Sequence, residues 1–223
     1  MTLSRRDLEA NRMRELYLAE VGPAHALSDV QLSESLTSTL AAKPKGAGWW
    51  VFAYGSLLWN PIFPVAEMRP GTLAGSHRRF CLWSLASRGT RDSPGLVLGL
   101  DRGGACCGVV MRLPAMLAVD ELHLLWRREM VTDAYRPKWV NVVTRDKRSM
   151  VALAFTIRHG HAQYAKGLDL DTQASIIAHA EGAFGTSRDY LERTRVALVT
   201  HGIVDPYLET LADKVMALRS TAA

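Results

Sequence analysis

Cysteine is scarce in this chain: three in 223 residues, at positions 81, 106 and 107. An odd count with one adjacent pair is no disulfide framework, and the lack of any Cys-x-x-Cys removes the usual zinc pattern. A reducing, cytoplasmic setting is expected. Long apolar runs are also missing. The longest uncharged window lies between Lys45 and Glu67 and is broken by Asn60, Pro61 and Pro64, so no membrane span is expected. Behind Met1-Thr2-Leu3-Ser4-Arg5-Arg6-Asp7 comes no apolar stretch of the kind a signal peptide needs. Neither GxxxxGK[ST] nor GxGxxG follows a strand, which leaves a nucleotide-phosphate cradle unsupported. Gly55-Ser56-Leu57 lacks the glycines of a nucleophile elbow. His159 and His161 have no HExxH and no third ligand beside them, so they read as surface and no metal site is expected.

What is present is a globular composition, 48% hydrophobic and 22% charged, which excludes wholesale disorder. The net charge is +5. It is unevenly spread: residues 1–48 hold six basic and six acidic side chains, whereas residues 69–148 hold fourteen basic and seven acidic. With no run of five like charges, this reads as a mildly basic surface or a site for a small anion, ahead of a nucleic-acid face.

Residues 1–48 read as a helical extension and linker. Leu27, Val30, Leu32 and Leu36 recur at near-helical spacing, Ser28 is a candidate N-cap, and residues 41–48 form the linker. A domain spanning 49–223 follows. Its strand candidates are residues 49–54, 79–85, 96–101, 105–113, 138–144 and 150–157. A helix is expected over 115–130, with Pro114 in its first turn, and three more over 172–184, 187–201 and 206–218. Regular β-α alternation is lacking, so the fold class is α+β with a curved mixed sheet.

Two features carry chemistry. The strand ending in Tyr54-Gly55-Ser56-Leu57 meets a glycine that lets the chain turn and aim N–H groups at a carboxylate or an oxyanion. The same tetrapeptide also suits an ordinary strand-ending turn. Glu129 continues the helical stripe Ala118, Leu122, Leu125, Trp126, while Glu121, Arg127 and Arg128 lie off it. Burial and the helix C-terminus would raise the pKa of such a carboxylate, as a general base requires. Fraying of the helix, or screening by Arg127 or Arg128, is the competing reading.

In order and combination, these residues resemble the ChaC family of glutathione-specific gamma-glutamylcyclotransferases, most closely its bacterial branch. The resemblance spans about residues 49–218. It rests on Val51-Phe52-Ala53-Tyr54-Gly55-Ser56-Leu57-Leu58-Trp59-Asn60-Pro61, Arg78-Arg79-Phe80, Gly108-Val109-Val110-Met111-Arg112-Leu113-Pro114 and Leu125-Trp126-Arg127-Arg128-Glu129-Met130. It implies a mixed sheet closed toward a barrel and flanked by helices. It also implies a lyase that opens glutathione to 5-oxoproline and Cys-Gly without cofactor or metal, with glutathione as its partner and neither nucleic acid nor membrane involved. By resemblance Glu129 is the acid/base, and Tyr54, Gly55, Ser56, Leu57, Leu58, Arg88, Tyr135, Tyr164 and Tyr190 hold substrate. Leu96 departs from the arginine usual after Pro94-Gly95; if that arginine orders substrate or loop, either Arg91 or Arg88 substitutes for it or affinity is weaker. That departure leaves open another gamma-glutamyl amino acid or amine as substrate, and a non-catalytic module on the same fold is the reading of another class. Oligomeric state is not legible.

Overall fold

The computed structural model describes residues 3–220; residues 1–2 and 221–223, the outer ends of the two expected segments, lie outside it. Five strands close into a barrel in the order β1-β3-β2-β4-β5. β1 is Trp50–Ala53, β2 Glu67–Ser84, β3 Gly95–Arg112, β4 Tyr135–Thr144 and β5 Ser149–Ile157. β2 and β3 form one long antiparallel hairpin, from Glu67 opposite Arg112 to Ser84 opposite Gly95. The barrel closes where β5 runs parallel to β1, with Val51 opposite Leu153, and to β3, with Leu100 opposite Thr156. A β-bulge at Ala74/Ser76, with Gly75 at φ 78°, bends the long hairpin.

Three expectations are corrected here. Residues 67–78 are strand although Pro70, Gly71 and Gly75 break the sequence pattern, because the 18-residue partner strand supplies the pairing that propensity does not. Residues 96–101 and 105–113 are one strand rather than two, continuous through Gly103 and Gly104. The helix expected over 172–184 ends at His179 and gives way to a small hairpin, β6 (Glu181–Gly182) with β7 (Gly185–Thr186).

The core fills the barrel with Phe52, Phe80, Leu98, Met111 and Phe155. Helix α4 (Ala118–Glu129) lies across it, and Trp126 packs edge-on to Phe155 with centroids 5.4 Å apart. The stripe Ala118, Leu122, Leu125, Trp126 is buried as its spacing implies. Its first turn begins at Ala118 rather than 115, after a turn at Pro114. Helices α5 (Leu170–His179), α6 (Ser187–Thr200) and α7 (Pro206–Ser220) cover another flank.

The first residues form α1 (Arg5–Glu9), α2 (Arg12–Val21) and α3 (Asp29–Ala41). Ser4 with Asp7 and Ser28 with Gln31 build capping boxes at α1 and α3. Leu32 and Leu36 enter the main core, whereas Val30 is exposed, one residue around the helix from the expected stripe. α3 is pinned by Trp126 Nε1 to Ser35 Oγ (3.2 Å) and Trp139 Nε1 to Thr39 O (2.8 Å). Leu3, Leu8 and Met13 make a second small core with Val131 and Phe184. Among the described residues no helix is long and apolar enough to cross a membrane.

Candidate active site

The end of β1, the starts of β3 and β4 and the end of β5 converge at one mouth of the barrel. There the chain leaves β1 through Tyr54 and Gly55 into a single helical turn, Ser56–Leu58. The turn closes with the Leu58 N–H donating to Gly55 O (2.9 Å), so the N–H groups of Gly55, Ser56 and Leu57 precede its first bond. Gly55 has a steric reason to be glycine: a Cβ there would lie 2.9 Å from Tyr190 Oη. Beneath the turn, the buried Arg78 fixes its entry. Its Nε donates to Tyr54 O (2.6 Å), Nη2 to Cys107 O (2.6 Å) and Nη1 to Asp205.

Glu129, the last residue of α4, faces this turn with its side chain 13% exposed. Burial holds its carboxyl above the ordinary glutamate range, and the Arg128 guanidinium, Nε 3.0 Å from Oε1, works the other way. Arg128 also donates from Nη2 to Ser56 Oγ (2.7 Å) and from Nη1 to Asn60 O. One guanidinium therefore ties the Glu129 carboxylate to the turn it faces. Arg128, off the apolar stripe, was expected only as a screen of Glu129, which it is; its hold on Ser56 and Asn60 was not foreseen.

Tyr54, Gly55, Ser56, Leu57, Leu98, Glu129, Tyr135, Phe155 and Tyr190 enclose an inner space of about 20 Å³. Tyr54 donates to Phe155 O (2.8 Å) and Tyr135 to Leu98 O (2.7 Å), so both phenols are braced on the barrel rim. Burial raises all three tyrosines, with the charge of Glu129 adding to it. Tyr190 comes from α6, whose N-cap Thr186 accepts from Asp189 N. Its ring is edge-on to Trp59 and Phe80 at 5.8 and 5.9 Å.

Ser56, Glu129, Tyr135 and Tyr190 also line a second space of about 110 Å³, which adds Arg88, Ser87, Arg128, Thr132 and Gln163. Arg88 is buried between Trp59 and Tyr190, 5.7 and 5.6 Å from their centroids, and donates to Thr186 O (3.2 Å). Burial lowers its pKa, the mark of a cation kept short of water. Its loop is locked by backbone contact, since a Cβ on Gly95 would fall 2.1 Å from Arg88 O. Leu96 is buried core and Arg91 is exposed, so of the two expected substitutes Arg88 is the one that lines this space.

Two expected ligands stand apart. Leu58 is core and lines neither space. Tyr164 also lines neither; its hydroxyl donates to Asp101 Oδ2 (2.9 Å), whose Oδ1 is 2.6 Å from His159 Nε2. Sequence reasoning missed that the extension reaches the site: Leu3, Met13 and Tyr17 form part of the outer wall of the second space.

A closed mixed barrel with a buried carboxylate facing a backbone turn defines a gamma-glutamylcyclotransferase-type fold. The same fold is seen in a yeast gamma-glutamyl cyclotransferase specific to glutathione (TM-score 0.71, 22% identity, 77% of this chain and 97% of that one). The ChaC-like protein family matches residues 49–218, and the chain belongs to that family. It is 40% identical over 188 residues to the glutathione-specific gamma-glutamylcyclotransferase of Escherichia coli (strain K12), covering 84% of this chain and 81% of that protein. It is 32% identical over 181 residues to gamma-glutamylcyclotransferase 2-3 of Arabidopsis thaliana, covering 77% and 90%.

Proposed function

We propose that the chain is a glutathione-specific gamma-glutamylcyclotransferase, with Glu129 as its general acid and base. The observation that carries the reading is the buried Glu129 carboxyl, its pKa raised by burial, set opposite the Gly55-Ser56-Leu57 turn. The substrate brings its own nucleophile. Its α-amine attacks the δ-carbonyl carbon, and a five-membered lactam closes as the amide C–N bond breaks. The protein's main task is to hold the folded, near-attack shape.

Glu129 accepts a proton from the α-ammonium, which frees the lone pair, and returns it to the departing nitrogen of Cys-Gly. The second ammonium proton is released on ring closure and the freed amine takes one up, so neither water nor acid is consumed. The N–H groups of the turn stabilise the oxygen of the tetrahedral intermediate. Arg88 pairs with the glutamyl α-carboxylate, and the hydroxyls of Tyr190 and Ser56 orient the same half. Leu57, Tyr54 and Tyr135 shape the inner space. Three free cysteines, Cys81, Cys106 and Cys107, support a reducing, cytoplasmic location.

The test is release of 5-oxoproline and Cys-Gly from glutathione, followed by mass spectrometry. Glu129→Gln should lower kcat by at least about 100-fold, the value of a positioned proton-transfer group, with the fold intact. Undiminished turnover in that variant would remove Glu129 from the mechanism.

A further inference from the structure

The inner space of about 20 Å³ and the second of about 110 Å³ are each too small for a tripeptide, since sites for molecules of that class run to roughly 300–1,000 Å³. A third space of about 640 Å³ adjoins the second. It shares Thr132 and Gln163 with the second, and the extension's Pro23–Leu27 segment forms one of its walls. The inner and second spaces share Ser56, Glu129, Tyr135 and Tyr190, so the three lie in series from the turn at Gly55 to the seam between the extension and the barrel.

Gln163 stands at the junction of the second and third spaces. It is 7% exposed, and its Nε2 donates to Trp83 O (3.2 Å), but its buried Oε1 has no hydrogen-bond partner. A buried acceptor without a donor is costly, and native proteins seldom leave one unused. Trp83 O takes one end of the carboxamide, which leaves the oxygen without a donor in the wall shared by the second and third spaces.

We infer that Gln163 is a specificity residue for the cysteinylglycine half of the substrate, its Oε1 accepting the N–H of the peptide bond between cysteine and glycine. The wall of that subsite is completed by Tyr17 and the Pro23–Leu27 segment of the extension. This rests on the cyclotransferase reading above. With the gamma-glutamyl group beside Glu129, the scissile amide lies in the second space and the next peptide bond falls one residue outward, where Gln163 stands.

The test compares glutathione with γ-glutamylcysteine, which lacks that second peptide bond. In the full chain, Gln163→Met should lower kcat/KM for glutathione about tenfold, the value of one hydrogen bond, through KM rather than kcat. Turnover of γ-glutamylcysteine should stay within twofold. Equal loss on both substrates, or no loss on glutathione, would overturn the inference. A measurement on the unaltered chain is independent of any effect on folding: a glutathione analogue with an ester oxygen in place of the second peptide N–H should be turned over about tenfold less efficiently than glutathione. Equal efficiency overturns the inference. Turnover without this discrimination sinks the Gln163 role alone, whereas no turnover of any γ-glutamyl compound sinks the enzyme reading and this inference with it.

Discussion

Adding one methyl group at Gly55 puts the geometry of the site under direct strain. A Cβ there would approach Tyr190 Oη to 2.9 Å, where ordinary contact begins near 3.4 Å. About half an ångström must be found in a close-packed region. Tyr190 has little freedom to supply it, with Trp59 and Phe80 edge-on to its ring and the Arg88 guanidinium 5.6 Å from its centroid. Overpacking of this kind costs about 1–3 kcal/mol. At about 2–4 °C per kcal/mol for a chain this size, Gly55→Ala should melt several degrees lower. Displacing the turn relative to Glu129 should also lower kcat/KM for glutathione by about ten- to a hundredfold. The decisive variant is the double one. Tyr190→Phe removes the atom that is struck, so Gly55→Ala/Tyr190→Phe should be as stable as Tyr190→Phe alone, to within about 0.5 kcal/mol. Urea unfolding of the four proteins completes the cycle. Simple addition of the two single losses would refute the idea that Gly55 is glycine because of that hydroxyl.

Other outcomes follow from the same geometry. Because the folded Glu129 has its pKa raised by burial, its ionisation opposes folding; the opposition is absent below the ordinary glutamate pKa and grows as pH rises through the folded value. Glu129→Gln should therefore melt higher than the parent chain at pH 7 and equally at pH 4, while the parent's activity falls on the acid side at a pH above the usual glutamate range. Arg78→Met takes the guanidinium away from Asp205 Oδ2 and from two carbonyls; urea unfolding should register a loss of about 3–5 kcal/mol. Arg5→Gln removes the cation 2.6 Å from the buried Glu121, so amide hydrogen exchange in residues 5–21 should accelerate while the barrel strands stay protected. Tyr164→Phe should leave turnover within twofold of the parent, since its hydroxyl serves Asp101 and not the chamber; a tenfold loss would return it to the site.

How much of this was legible depended on the range of the interaction. The stripe of α4 and the position of Glu129 follow from a 3.6-residue period that one helix obeys by itself, and the Tyr54–Leu57 turn follows from a strand meeting a glycine. The first part of strand β2, residues 67–78, did not announce itself, because Pro70, Gly71 and Gly75 are tolerated only by virtue of a partner strand distant in sequence. The hydrogen-bonding roles of Arg128, Arg78 and Gln163 were missed for a related reason. A helical wheel ranks residues by their apolar neighbours, whereas these side chains act through single hydrogen bonds to carbonyls and hydroxyls on distant segments. The basic excess of residues 69–148 is partly explained the same way: Arg78, Arg79, Arg88 and Arg145 each donate to a backbone carbonyl, so much of that charge is structural cement rather than surface field. Tyr164 shows the opposite error, a residue type common in such sites that here completes an Asp–His cluster instead.

The last turn of α4 packs three duties into three consecutive residues. Arg127 donates to Leu8 O and Glu9 O of the extension, Arg128 grips the Ser56 turn, and Glu129 faces the inner space. Successive residues of a helix point about 100° apart, so the three directions are dealt out by register alone. A single residue inserted or deleted between Ala118 and Trp126 would turn the whole set by that angle and hand each task to a neighbour. Substitution in this helix can be graded, but a change in its length is all or nothing.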